Sequence, residues 1–357
     1  MRYPEIVIRT SVIAENAEKV AVLCSAMGIR VWGVTKGVSA NPPVARAMLD
    51  GGCAGLADSR MDNIRKMRLF GIREPMMLLR IPMPGEMKEL AAMADVCLIS
   101  MPESVLMLEQ ACKENDSEIG IIVMVDLGDL REGIWPDEVY VMADAIAKCR
   151  RLRCLGVGSN LGCLSGVLPT VTNLSVLVSI AREFESFLGY PLEVVSGGAT
   201  SSLTLVEDGS MPRGVTQLRI GEAILLGTDI SGGRSIPYLA QDAIRISAEV
   251  VEVRSKPSLP IGETGSDAFG NKPVFEDRGV RRRVILAIGR QDTRPEGLEP
   301  LEKGLSMIGA SSDHLTLDAE EFAGPIRPGD VISFSPDYGA TLAATTSPYV
   351  RARIIAS

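Results

Sequence analysis

Lys36 is the residue whose position most strongly suggests chemistry. It directly follows residues 31–35, a short β-branched run that predicts a strand, and Gly37 comes next. Desolvation at the end of an apolar strand lowers the pKa of a lysine ammonium group, and a deprotonated lysine is a nucleophile toward aldehydes. The alternative is a surface lysine that merely follows a strand. Lys36 is therefore a candidate covalent anchor that the rest of the sequence has to support.

The composition is that of an ordinary globular protein. The chain has 357 residues, of which 46% are hydrophobic and 23% charged, and its length suggests two domains. A net charge of −8 argues against nucleic-acid binding, and the lack of a long apolar run argues against a membrane span. Seven cysteines without a C-x-x-C pair, and no apolar secretion signal at the start, favour a cytoplasmic enzyme with reduced thiols. The single histidine, His314, cannot build a His-rich zinc centre, so no metal site is predicted.

The pattern of apolar runs changes along the chain. Between residue 10 and about residue 230, strand-like runs alternate with amphipathic helical stretches, which predicts a (β/α)8 barrel of the TIM type over residues 1–232. An open doubly wound sheet is the alternative, but no G-x-G-x-x-G follows the first strand. Residues 233–357 show strand-like runs divided by glycine and proline, with no convincing helix. They predict a smaller all-β domain.

Chemistry-bearing residues follow several predicted strands, where a parallel barrel builds its active site. Two of these turns suit a phosphate group. Residues 196–198 form a Ser-Gly-Gly turn that leads into hydroxyl residues, and Gly221-Glu222 begins another short helix. Backbone N–H groups at such turns can converge on an anion, although glycines also make ordinary βα turns. A phosphate site and a reactive lysine in one barrel suggest pyridoxal 5′-phosphate.

The chain also resembles the alanine racemase-like, fold type III family of pyridoxal-phosphate enzymes, and most closely its ornithine racemase branch. The resemblance runs nearly end to end, and the order and spacing of its motifs make it specific. The motifs are residues 34–37 (VTKG), 124–133 (MVDLGDLREG), 196–202 (SGGATSS), 218–222 (LRIGE), 265–273 (GSDAFGNKP) and 309–314 (GASSDH).

The resemblance implies roles for individual residues. Lys36 would form the Schiff base with the cofactor and transfer one proton, and Arg219 would face the pyridine nitrogen. Arg131 falls where the family has an arginine near the substrate carboxylate, although it could instead form a loop salt bridge with Glu132. Asp313 is also expected near the substrate. The cofactor-binding residues implied are Lys36, Asn160, Ser196, Gly198, Thr200, Ser202, Arg219, Gly221, Glu222 and Tyr349.

Three departures from the family pattern concern the site. Asn160 stands where alanine racemases have a histidine, and the tyrosine that usually follows the lysine is missing. The family's second catalytic base, a tyrosine supplied by the partner subunit, corresponds to a position on or near Asp267. Racemisation needs a proton acceptor on each face of the carbanion. Asp267 and His314 are therefore the candidates for the second catalytic group.

The function implied is interconversion of L- and D-ornithine or a related basic amino acid, in a homodimer with shared active sites. Asp129, Glu132 and Asp337 lie in loops that could receive the substrate's side-chain amine. Alternatives are an alanine racemase, a racemase that accepts lysine and arginine, or a non-catalytic cofactor carrier. A decarboxylase of the same fold type is weaker, because its cysteine-centred motif is absent. The carriers lack a β domain, which argues against them.

Overall fold

The computed structural model describes residues 3–356, which form two compact units. The larger unit is Thr10–Gln241, and the smaller one combines Asp242–Ala356 with the beginning of the chain up to Arg9. The division thus falls later than the predicted boundary at residues 232 and 233. The predicted range of the barrel domain also included residues 5–9. In the structure they form strand β1 (Glu5–Arg9), which was not predicted and which pairs with two strands of the smaller unit.

Eight parallel strands close into a barrel, as the alternating pattern predicted. Each strand pairs with the next along the chain, and Gly33 opposite Ile220 closes the circle. The barrel strands are β2 (Arg30–Val34), β3 (Gly55–Asp58), β4 (Met76–Leu78), β5 (Val96–Ile99), β6 (Ile119–Met124), β7 (Leu152–Gly158), β8 (Val194–Ser196) and β9 (Gln217–Ile220). Because all eight run in the same direction, the residues that follow them share one rim.

Helices connect the barrel strands. They are α1 (Thr10–Ser25), α2 (Pro42–Asp50), α3 (Met61–Leu69), α4 (Met87–Met93), α5 (Pro102–Asn115), α6 (Val139–Ala147), α7 (Val171–Leu188), α8 (Leu203–Glu207) and α9 (Glu222–Leu226). A short hairpin, β10 (Thr228–Asp229) with β11 (Arg234–Ser235), ends the unit. None of the helices within residues 3–356 is both long and apolar enough to cross a membrane.

Alternate strand residues form the barrel's apolar core. Side chains two apart on a strand point to the same face, so Trp32 and Val34 both belong to a cluster with residues from the other strands. The buried members are Trp32, Val34, Ala57, Met77, Val96, Leu98, Ile122, Met124 and Val194. This packed interior leaves the loops at the strand carboxyl ends as the place for a site.

The smaller unit is one sheet built around the long strand β12 (Ile244–Pro257). The other strands are β13 (Val280–Leu286), β14 (Leu298–Pro300), β15 (Ser306–Ala310), β16 (Leu315–Asp318), β17 (Val331–Pro336) and β18 (Arg351–Ile355). β12 pairs antiparallel with β1, β13 and β17, and β18 lies parallel to β1. Ile246, Ala248 and Val250 alternate along β12 on its buried face.

One helix contradicts the all-β prediction for this unit. α10 (Tyr338–Thr346) begins after Asp337, whose Oδ1 accepts the Ala340 N–H at 2.7 Å as an N-cap. The helix sequence, YGATLAATT, is short and mixes alanine with β-branched threonine, so it carries no clear amphipathic signal. Asp337, the N-cap residue, was the sequence feature that could have predicted this helix.

Candidate active site

Lys36 lies at the carboxyl end of β2, where the chain enters a 3-10 turn (Lys36–Val38). The Thr35 backbone N–H donates to Ala57 O on the neighbouring strand β3 at 3.0 Å, which fixes this strand end. The Lys36 side chain is half-buried. Burial, and next the positive charge of Arg131, lower the pKa of its amine below the ordinary lysine value. The environment therefore favours the neutral, nucleophilic form.

Arg219 occupies the strand on the other side of Lys36, since β9 pairs with β2. Its side chain is buried, with one guanidinium nitrogen donating to Ser159 O at 2.7 Å and another to Ser196 Oγ. Within residues 3–356 it forms no ion pair with a carboxylate. Burial lowers the pKa of Arg219 to about 10, which still leaves it protonated at neutral pH. A cation of this kind can face a neutral aromatic nitrogen.

Ser196, expected among the cofactor-binding residues, supports Arg219. Its hydroxyl accepts from Arg219 and donates to Gln217 Oε1 at 2.9 Å, and all three side chains are buried. Because this hydroxyl already has both partners, its role in the structure is to orient the guanidinium group.

The two glycine turns predicted for phosphate lie side by side. Gly198 has a φ of +108°, and a Cβ there would lie 2.7 Å from Ser202 Oγ, so only glycine fits. Thr200 Oγ1 accepts the N–H of Ala223 at 3.3 Å, which joins the first turn to the start of α9. A Cβ on Gly221 would come within 3.0 Å of Val34 Cβ. The second turn thus packs directly against β2, the strand that precedes Lys36, and the first turn is joined to it through Thr200.

Two other residues of the set have different side-chain partners. The Ser202 hydroxyl donates to Gly197 O at 2.7 Å and keeps acceptor capacity only. Glu222 Oε1 accepts the Thr228 hydroxyl and the Ile230 N–H, both at 2.8 Å. At Glu222 the backbone N–H is therefore the group suited to an anion, as the sequence analysis supposed.

Asn160 and Ser159, which follow β7, carry buried polar atoms without hydrogen-bond partners in the described part of the chain. These atoms are Asn160 Nδ2 and Ser159 Oγ. An unsatisfied buried donor costs about 1–3 kcal/mol, so such groups commonly mark the position of a ligand. Ser159 also supplies the carbonyl that binds Arg219. The sequence analysis named Asn160 as a cofactor-binding residue but did not name Ser159.

The loop after β6 is organised by Asp126. Its Oδ1 accepts the Gly128 N–H at 2.8 Å and its Oδ2 accepts the Arg131 N–H at 3.1 Å. Gly133 has a φ of +143°, and a Cβ there would lie 2.3 Å from Asp126 N. The loop therefore has one compact conformation, which places Arg131 within charge range of Lys36.

Arg131 has two partners. Its guanidinium group binds both carboxylate oxygens of Glu132, and Nη1 donates to Cys163 Sγ at 2.8 Å. The loop salt bridge named as the alternative therefore exists. It does not remove Arg131 from the site, because Arg131 and Cys163 both act on the pKa of Lys36.

The three acidic residues considered for the substrate's side-chain amine all have other partners. Asp129 is buried and accepts backbone N–H groups of the loop after β7, including Leu164 at 3.0 Å. Glu132 pairs with Arg131, and Asp337 caps α10 while it pairs with Arg294 at 2.7 Å. The role in binding the substrate's amine stays a prediction, and the partners that compete for these carboxylates are backbone groups and arginines that sequence does not reveal.

Four predicted site residues belong to the smaller unit: Asp267, Asp313, His314 and Tyr349. The Asp267 carboxylate accepts the N–H groups of Phe269 and Asn271, and hydrogen bonds led by Asn271 lower its pKa. Asp313 accepts from Gln291 Nε2 and Ser312 Oγ. His314 and Tyr349 are exposed, and Tyr349 precedes β18 instead of beginning it. Of these four, Asp267 has the geometry of a turn-forming residue, and a lowered pKa makes it a weak base.

The comparisons with known proteins agree with this geometry. The family model "Alanine racemase, N-terminal domain" matches residues 8–229. The chain is 42% identical over 350 residues to lysine racemase of Thermotoga maritima, covering 98% of each chain. It is 38% identical over 354 residues to ornithine racemase of Acetoanaerobium sticklandii, covering 99% of this chain and 100% of the relative. The chain belongs to the alanine racemase family.

Solved structures support the same fold. Alanine racemase from a D-cycloserine-producing Streptomyces lavendulae superimposes with a TM-score of 0.78, covering 100% of this chain and 98% of that one, at 16% identity. D-threonine aldolase from Filomicrobium marinum gives a TM-score of 0.73 over 96% of this chain and 88% of that one, at 17% identity. The resemblance to fold type III pyridoxal-phosphate enzymes, and the racemase class that it implied, are confirmed.

The barrel residues fit the cofactor of this family. The close approach of Gly198 to Ser202 keeps this turn free of a side chain, and Arg131 and Arg219 supply positive charge. The unpartnered atoms of Ser159 and Asn160 provide hydrogen-bonding groups where the ring is expected. Lys36 supplies the amine. No single one of these features is specific, but together they lie at or after the carboxyl ends of the consecutive barrel strands β6, β7, β8, β9 and β2, and this shared position is specific.

Proposed function

We propose that this pyridoxal-phosphate-dependent racemase interconverts the L and D forms of ornithine, with lysine as the second candidate substrate. The observation that carries the proposal is the convergence of Lys36, Arg219 and the two glycine turns at the ends of adjacent barrel strands. The choice of ornithine as substrate is based on the motif resemblance and on the 38% identity to an ornithine racemase. Lysine is favoured by the 42% identity to a lysine racemase.

The chain's own residues have distinct tasks in this reaction. When bound, the cofactor supplies an aldehyde and an aromatic ring that make the substrate's Cα–H acidic. Lys36 holds the cofactor and moves a proton to or from Cα on one face. Arg219 remains protonated and would face the pyridine nitrogen as a donor, which would keep that nitrogen unprotonated. Arg131 would bind the substrate carboxylate, and the N–H groups of Gly221 and Glu222 would hold the phosphate with the Thr200 hydroxyl. Ser202 stays a predicted phosphate ligand, but its hydroxyl would first have to release Gly197 O.

The opposite face needs a second proton-transfer group. Of the two expected candidates, Asp267 has a lowered pKa and is therefore a weak base. His314 is the better candidate, because imidazole is the commonest general base in enzymes. Tyr349 stays a predicted phosphate ligand and Asp313 a predicted substrate ligand. A homodimer and a cytoplasmic location are likewise proposals that follow from the family pattern and the composition.

One set of measurements tests the function. Purified protein with added pyridoxal 5′-phosphate is incubated with L-ornithine, L-lysine or L-alanine in D2O, and the enantiomers and their Cα deuterium are analysed. We expect D-ornithine with deuterium at Cα, and no product with Lys36→Ala. Lys88→Ala is the control, because Lys88 pairs with Glu114 on the helices outside the barrel. Faster turnover of alanine than of both basic amino acids would refute the substrate, and exchange without inversion would refute the racemase reaction.

A further inference from the structure

A buried carboxylate lies beside Lys36 that the proposed reaction does not use. Asp58 is the last residue of β3, the strand paired with β2, and its side chain is 0% exposed. The register pairs Ala57 of β3 with Val34 of β2, so Asp58 is level with Thr35, the residue before Lys36. The sequence analysis did not single it out, although its position after an apolar barrel strand was the same signal that identified Lys36.

The Asp58 carboxylate is a hydrogen-bond acceptor on both oxygens. Oδ2 accepts the Thr35 hydroxyl at 2.7 Å, and Oδ1 accepts Asn63 Nδ2 at 2.8 Å and the Arg60 N–H at 3.1 Å. A carboxylate surrounded by donors is acting in its ionised form. Burial raises the pKa of Asp58, and the hydrogen bonds from Thr35 and Asn63 oppose that shift. A buried negative charge is retained only when nearby groups stabilise it.

Capping of the following helix explains only half of these contacts. The bonds from Arg60 and Asn63 to Oδ1 hold the entry to α3. The other oxygen turns to Thr35, which directly precedes Lys36 on a different strand. This second contact links the carboxylate to the end of the strand that precedes Lys36. It plays no part in capping α3.

The other charges around Lys36 come from three further elements. Arg131 in the loop after β6 and Arg219 on β9 both lower the pKa of the Lys36 amine, whereas Cys163 in the loop after β7 raises it. Asp58 also raises it and is the one carboxylate of the set. Two guanidinium groups would otherwise leave the positive charge of Lys36 without a counter-charge.

We propose that Asp58, anchored through Thr35, is the internal counter-ion and positioning residue of Lys36. It keeps the strand end in one conformation and balances Arg131 and Arg219 in controlling when the lysine amine loses its proton. The inference deepens the proposed function, since it concerns the amine that carries the chemistry. It can nevertheless be tested without cofactor or substrate.

The test measures the reactivity of Lys36 itself. Full-length protein freed of cofactor is treated with cyanate between pH 6 and 10, and carbamylation of Lys36 is followed by peptide mass spectrometry. Cyanate reacts with the neutral amine, so the rate profile gives the midpoint of its titration. An opposite charge within about 4–6 Å shifts a pKa by about 1–3 units, and a more distant charge shifts it by less. Since Asp58 contacts Thr35, the residue before Lys36, we expect Asp58→Asn to move the midpoint to lower pH by roughly 0.5–1 unit.

Matched variants separate this role from a general effect of a buried charge. Asp229→Asn removes a carboxylate that is equally buried but pairs with Arg234, and it should leave the midpoint unchanged. Thr35→Val, which removes the anchoring hydroxyl, should shift the midpoint in the same direction by about 0.3 unit or more, and Thr35→Ser should restore it. Circular dichroism verifies the fold of each variant.

Each outcome of these measurements either supports or overturns the proposal. An unchanged midpoint in folded Asp58→Asn, or an equal shift in Asp229→Asn, overturns the proposal. Where Asp58→Asn does not fold, Thr35→Val decides: a shift that Thr35→Ser reverses supports the counter-ion role, and no shift refutes it. Failure of the protein to bind pyridoxal 5′-phosphate would refute the proposed function but would leave the carbamylation profile, and hence this inference, intact.

Discussion

Replacing Asp129 with alanine should open the loop that follows β7. The Asp129 side chain is 1% exposed, and its carboxylate accepts the N–H groups of Leu164 at 3.0 Å, Ser165 at 3.2 Å and Cys163 at 3.4 Å. The Ser165 hydroxyl also donates to the Asp129 carbonyl at 2.7 Å, a bond that the substitution leaves in place. The carboxylate therefore holds the backbone of the loop that carries Asn160 and Cys163.

The size of the effect follows from these three bonds. A hydrogen bond to a charged group contributes about 1.5 kcal/mol or more at good geometry, and the two longer bonds contribute about 0.5 kcal/mol each. Asp129→Ala should thus lower the free energy of local opening by about 2.5 kcal/mol. That corresponds to roughly 60-fold faster amide exchange in the loop, since about 1.4 kcal/mol is a factor of ten.

Hydrogen–deuterium exchange of peptides that cover residues 160–168 measures this directly. The KM for the amino acid should rise as well, because Cys163 no longer holds its position beside Arg131. Asp208→Ala is the control, since Asp208 is an exposed carboxylate whose side-chain partner among residues 3–356 is the neighbouring Ser210. Loop exchange within twofold of the wild type in a folded Asp129→Ala protein would show that the carboxylate does not hold the loop.

Two further predictions concern a thiol and an ion pair. Cys163 is the only exposed one of the seven cysteines, so iodoacetate should modify it first. The added carboxylate should compete for Arg131 and raise the KM for the amino-acid substrate about tenfold. Mass spectrometry identifies the modified cysteine and steady-state kinetics give the KM. The KM of Cys163→Ser should not change on treatment with iodoacetate. Asp318 has a pKa below its ordinary value, because hydrogen bonds from Glu320 N and Arg281 outweigh desolvation. Its stabilisation is present above the unfolded pKa of about 3.8 and is lost as pH falls through the lower folded pKa. Urea unfolding should therefore show Asp318→Asn to be less stable than wild type at pH 7, by about 1 kcal/mol for the lost hydrogen bonds, and this difference should shrink as the pH falls below 3.8. A difference that is constant with pH would contradict this.

Sequence patterns predicted the barrel because its strands are short, mostly apolar runs separated by helical stretches. The strand predicted over residues 31–35 is observed as Arg30–Val34, a difference of one residue at each end. β1 was missed for the opposite reason. Its partners, β12 and β18, lie more than 200 residues away in the chain, so only the tertiary pairing reveals that residues 5–9 belong to the smaller unit.

The site was predictable where strand ends define it and unpredictable where side chains bind remote backbone. Lys36, Arg219 and the turns at Gly198 and Gly221 follow from the rule that barrel strands present chemistry at their carboxyl ends. The partners of Asp129 do not, because its sequence context is the same whether the carboxylate faces solvent or accepts N–H groups more than 30 residues away. Such bonds depend on how two loops pack together.

The excess of positive charge at the barrel rim links two properties of the site. Burial lowers the pKa of Arg219 to about 10, so it keeps its proton at neutral pH and acts as a permanent donor. Together with Arg131 it supplies positive charge that suits an anion such as a phosphate or a carboxylate. The same two cations lower the pKa of the Lys36 amine, which must be neutral to react. Anion binding and a reactive lysine therefore have one electrostatic cause, and Asp58 is the group placed to limit it.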